Sequence, residues 1–148
     1  MKRIVPALLA SAAATAALIT GTAGSAQAAS GVTCSLWKSV AHGNKAGYSL
    51  TVRSCIQWDG TSSDRAYTEV RNIDNVTHYV DFGAGLFDDG NDKIASKYAW
   101  QVAIAPTQSA KVYTNWVDDY TWGPERSLGT VTVTGGVTNT GWVDEPWF

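Results

Sequence analysis

The sequence predicts an all-β domain, an Ig-like antiparallel β-sandwich of about 7–9 short strands that follows an N-terminal signal peptide. Three observations carry that expectation. Apolar residues alternate with polar ones over long stretches, which is the two-residue period of a strand with one buried face. Glycine-, asparagine- and aspartate-rich turn signals recur at spacings of roughly 8–12 residues. After the leader, no stretch shows the 3.6-residue apolar period of an amphipathic helix.

The leader comes first in the chain. Met1-Lys2-Arg3 is a short basic start, Ile4 to Ile19 is apolar and alanine-rich, and Ala26-Gln27-Ala28 supplies the small residues of a signal peptidase site. Cleavage after Ala28 divides the chain into a signal peptide, 1–28, and a single domain, 29–148. The style of the leader is bacterial and directs general secretion to an extracellular location. No later segment has the roughly 18 apolar residues of a membrane-crossing helix.

Removing Lys2 and Arg3 leaves nine of the 11 basic residues against 13 acidic ones, a net charge of −4. A weakly acidic chain without a Lys/Arg run is a poor partner for nucleic acid or an anionic membrane. All seven tryptophans lie beyond the leader, a density that belongs to a packed fold. In an exported chain, Cys34 and Cys55 read as one disulfide.

The strands follow in order. Val32 to Trp37 is a short one, Lys38 to Gly47 a connecting turn, and Tyr48 to Trp58 a long strand with Tyr48, Leu50, Val52, Ile56 and Trp58 on one parity. If Cys34 faces Cys55, the hairpin's midpoint falls between Asn44 and Lys45, inside the turn, and Trp37 sits opposite Val52 on the apolar face. Arg65 to Ile73 and Val76 to Phe82 alternate around Asp74-Asn75, and Gly83-Ala84-Gly85 suggests a bulge or bend. Asp88-Asp89-Gly90-Asn91-Asp92 is a strong turn signal. Lys93 to Ser96 and Tyr98 to Ala105 continue as strand, the latter with Trp100, Val102 and Ile104 in alternation. Lys111 to Val117, Leu128 to Thr134 and Val137 to Val143 complete the set; Asp118 to Ser127 is the least regular stretch.

Motifs for catalysis are scarce. The two histidines, His42 and His78, sit in no G-x-S-x-G, H-E-x-x-H or Cys–His zinc spacing. No glycine-rich phosphate loop precedes a helix. The aspartate run 88–92 lacks the alternating acidic positions of an EF-hand and reads as a solvated turn. Carboxylates for glycoside hydrolysis could come from Asp118, Asp119, Glu125, Asp144 or Glu145, but nothing in the sequence sets them at a defined separation across a cleft. No catalytic residue, metal or cofactor is therefore expected.

Aromatic residues beside carboxylates are the better functional signal. Trp116, Tyr120 and Trp122 surround Asp118 and Asp119, and Trp142 and Trp147-Phe148 flank Asp144-Glu145-Pro146. Flat rings stack on sugars while carboxylates accept from their hydroxyls; the same rings also close the ends of small β domains. The expectation is a secreted, non-catalytic, monomeric binding or interaction module for an extracellular glycan or protein, or an envelope or matrix component. Trp116, Asp118, Asp119, Tyr120 and Trp122 are its candidate ligand-binding residues. A proteinaceous inhibitor of a secreted hydrolase is the alternative, and a small glycoside hydrolase comes third.

Overall fold

Two antiparallel sheets face each other across an apolar interior in the computed structural model, which describes residues 30–40, 49–118, 125–133, 136–141 and 143–144. Residues 1–29, with the expected leader, lie outside the described residues, as do His42 and the rest of 41–48 in the first turn. The first sheet holds β1 (Gly31–Cys34), β2 (Lys38–Val40), β3 (Leu50–Trp58), β4 (Ser63–Asn72), β7 (Ser109–Tyr113) and β8 (Val117–Asp118). The second holds β5 (His78–Phe87), β6 (Lys93–Ile104), β9 (Arg126–Val133), β10 (Gly136–Asn139) and β11 (Val143–Asp144). Because β1 and β2 share β3, β7 and β8 share β4, and β10 and β11 share β9, each sheet is four strand positions wide.

The strand order is that of an immunoglobulin-like Greek key. Taking β3, β4, β5, β6, β7, β9 and β10 as A, B, C, C′, E, F and G gives sheets A-B-E and G-F-C-C′. The predicted sandwich is the observed one, with the β1/β2 strand added outside β3.

Alternation builds the interior as the sequence implies. Leu50, Val52 and Ile56 of β3 and Ala66 and Val70 of β4 meet Val80, Phe82, Ala84 and Leu86 of β5 and Val131 of β9, all buried. A narrow polar seam crosses this core. Ser54 and Ser127 share a hydrogen bond at 2.8 Å, and Thr68 Oγ1 donates to the carbonyl of Gly83 at 2.7 Å. Each buried hydroxyl is satisfied across the sandwich, so the seam aligns the two sheets instead of costing stability. Gly129 belongs to it, since a Cβ there would lie 2.5 Å from Thr68 Oγ1.

The Cys34–Cys55 disulfide is present between residues paired directly across β1 and β3. Beyond it the expected hairpin register slips by one. Ser35 still bonds Ser54 through backbone and side chain, but it is Lys38, not Trp37, that stands opposite Val52. The extra residue throws Leu36 and Trp37 outward, and Val40 takes the core position. The glycine-alanine-glycine segment also departs from expectation: β5 runs through it unbroken, paired on both sides. Its register shifts fall elsewhere, between Val80 and Phe82 and between Leu86 and Phe87.

Candidate functional site

The outward face of the second sheet carries Tyr79, Asp81, Gly83, Gly85 and Phe87 down the middle of β5. Tyr98 on β6 stands opposite Gly83, and Ser96 opposite Gly85. The glycines are there for the rings. A Cβ on Gly83 would lie 2.5 Å from the Tyr98 ring, and one on Gly85 2.7 Å from the Phe87 ring. Without side chains beneath them, Tyr98 and Phe87 lie down over the backbone. They border an open recess of about 210 Å3 with Gly85, Lys93, Ser96 and Leu128.

Next to Tyr98, the strand is bulged. Val80 pairs with Val102 and Phe82 with Ala99, so Asp81 alone faces Trp100 and Gln101 together. The Asp81 carboxylate accepts the Gln101 backbone N–H at 2.6 Å, holding Gln101 at a φ of 50°. One extra residue swaps the faces of everything beyond it. Val102 and Ile104 therefore point into the core while Trp100 projects outward, 70 % exposed. Trp100 does not share a face with Val102 and Ile104 as its alternation suggested. Its ring lies nearly parallel to that of Tyr98, at 20° with centroids 5.9 Å apart. Among the described residues, these two exposed, near-parallel rings beside a glycine-floored recess form an aromatic surface on this sheet. The only sequence-level trace of them is indirect: Ala95 and Ala99, which pack inward, conflict in parity with Val102 and Ile104.

The residues singled out from the sequence sit on the opposite face of the sandwich or beyond the described residues. Trp116 is half-exposed, with the Arg65 guanidinium 4.3 Å from the centre of its ring. Asp118, in β8, accepts a hydrogen bond from the Ser63 hydroxyl at 3.0 Å. Asp119, Tyr120 and Trp122 lie outside the described residues, as do Trp142, Trp147 and Phe148. The structure thus brings Trp116 and Asp118 to one sheet face, far in the fold from Tyr98 and Trp100.

His78 is buried, its Nε2 3.1 Å from Asp74 Oδ2. The pair belongs to the β4–β5 corner, which Asn72 organises by donating to the carbonyls of Val76 and Ile104 and accepting from the Asp74 N–H. In the 88–92 turn, Asp88 Oδ1 accepts the Asp92 N–H at 2.7 Å, so that carboxylate serves the turn itself. Among the described residues no three His, Cys, Asp or Glu side chains gather as a metal site.

No family model matches the chain, and no curated protein matches it. Among solved structures it is similar to a β-glucuronidase from glycoside hydrolase family 2, with 10% sequence identity and a TM-score of 0.42. That likeness covers 78% of this chain and 10% of the enzyme, so the chain spans about a tenth of the neighbour's length.

Proposed function

We propose that this chain is a secreted, non-catalytic binding module whose ligand is an extracellular polysaccharide, held on the outward face of the second sheet. The observation behind the reading is the Tyr98–Trp100 pair: two exposed rings of similar orientation on one strand, with Tyr98 lying over Gly83. Exposed aromatic faces are costly to leave in water and stack on the C–H faces of sugar rings. The disulfide and the leader at 1–28 both fit an oxidising, extracellular setting. No helix among the described residues is long and apolar enough to cross a membrane.

Affinity electrophoresis and pull-down against a panel of soluble and insoluble neutral glycans test the reading. Trp100→Ala and Tyr98→Ala are expected to weaken binding about 10- to 30-fold, as loss of a hot-spot aromatic does. Both side chains are exposed, so thermal stability stays close to wild type. Gly83→Ala gives an independent check, because the new methyl displaces the Tyr98 ring while leaving that side chain in place. Retention of every glycan interaction by both alanine variants would sink the reading.

A further inference from the structure

The outward face of the first sheet gathers basic residues that are scattered in sequence. Arg53 on β3, Arg65 and Arg71 on β4 and Lys111 on β7 all project from it, against the carboxylates of Glu69 and Asp118. Among the described residues that is an excess of two positive charges on one face of a chain whose formal net charge is −2. Aromatic rings alternate with the cations. The Arg53 guanidinium lies 4.5 Å from the Trp37 ring, and Lys111 Nζ lies 5.1 Å from that of Tyr67. Arg65 sits between two rings, 4.5 Å from Tyr113 and 4.3 Å from Trp116.

The ionic partners are unequal. Glu69 Oε2 accepts from Arg53 Nε and Nη2 at 2.9 and 2.6 Å and lies 4.0 Å from Lys111 Nζ, so one carboxylate serves two cations. Arg65 instead donates Nε and Nη2 to the neutral amide oxygen of Gln57, at 3.0 and 2.8 Å. Its guanidinium is fixed in place by two rings and an amide, with a hydrogen-bonding edge left over and, among the described residues, no carboxylate bonded to it. A preorganised guanidinium of this kind is a strong anion contact because little side-chain entropy remains to be lost.

We propose that this face docks a carboxylate-bearing polysaccharide, with Arg65 as its main anion contact at one end and Lys111 and Arg71 further along the same row. Rings interleaved with cations suit a polymer that alternates sugar faces with charges. A small excess of positive charge suits a chain with one charge per sugar. Duplex nucleic acid, with a charge per roughly 1.7 Å of axis, needs a denser basic surface. This second surface stands independently of Tyr98 and Trp100. If both bind, the module has two opposed glycan faces and cross-links polymers.

Binding of the mature protein to polygalacturonate and alginate, across a salt series, tests the proposal. Sulfated glycan, duplex DNA and neutral glycan serve as the other arms. Arg65→Gln is expected to weaken uronate binding about 10-fold, the lower range for a hydrogen bond to a charged group at a part-exposed site. Lys111→Gln and Arg71→Gln, both exposed and without effect on folding, are expected to weaken it a few-fold each and to flatten its salt dependence. Trp100→Ala leaves uronate binding unchanged. Absence of uronate binding, salt-insensitive binding, preference for DNA or sulfated glycan, or full affinity in the Lys111 and Arg71 variants overturns the proposal. Uronate binding lost in Trp100→Ala but kept in Arg65→Gln also overturns it, while leaving the neutral-glycan face intact.

Discussion

Ser54 and Ser127, fully buried and 2.8 Å apart, hold opposite walls of the sandwich together. Ser127→Ala strands the Ser54 hydroxyl in an apolar interior and is expected to cost about 1–3 kcal/mol. The double variant Ser54→Ala/Ser127→Ala removes both polar groups and is expected to lose less than the single one. Urea midpoints of the three proteins, analysed as a double-mutant cycle, check this. A second residue-scale effect sits on the outer face of the first sheet. Tyr67 is almost buried, and burial holds its phenol above the ordinary value of 10.0. The unfolded chain loses that proton first as pH rises, so the contribution is intact below pH 10 and lost as pH climbs through the raised native value. Alkaline denaturation midpoints are expected to fall more steeply with pH in wild type than in Tyr67→Phe.

The β6 strand shows how an element turns a local device into a surface. Its bulge depends on the Asp81 carboxylate holding the Gln101 N–H, and the bulge is what sends Trp100 outward. Asp81→Ala is expected to relax that geometry, weakening glycan binding several-fold with about 1 kcal/mol or less of stability lost. Thermal melts beside affinity electrophoresis separate the two effects. As the edge of its sheet, β6 would also invite pairing with another chain. Exposed Lys93 and Lys97 and the bulge are features that discourage it. At the other edge of the fold, the disulfide ties β1 to β3 and closes a loop of sequence separation 21. Cys34→Ala/Cys55→Ala is expected to cost roughly 3 kcal/mol, read as a lowered urea midpoint without loss of the glycan face.

At the scale of the molecule, the fold was largely legible in the sequence. Alternation along Leu50–Ile56 marked the core face correctly, because side-chain parity is a local property of an extended backbone. The cysteine pairing and most turns could be read for the same reason. What parity cannot show is where a strand gains a residue. The bulge opposite Asp81 took Trp100 off the face it was expected to share with Val102 and Ile104, and the slip after Ser35 moved Trp37 off the apolar face. Each depends on which residue lies across the ladder, and that is decided by a partner strand distant in sequence. Charge shows the same division. The sequence contains no basic run, yet β3, β4 and β7 set Arg53, Arg65, Arg71 and Lys111 side by side.

The sequence alone therefore determined the class of fold, the staple and the alternating core. These follow from two-residue periodicity, cysteine chemistry and turn residues, all properties of neighbours along the chain. Only the tertiary structure decided which aromatics face water and which cations share a surface. Those outcomes depend on register between strands, where one inserted residue reverses a face and antiparallel pairing joins residues tens of positions apart.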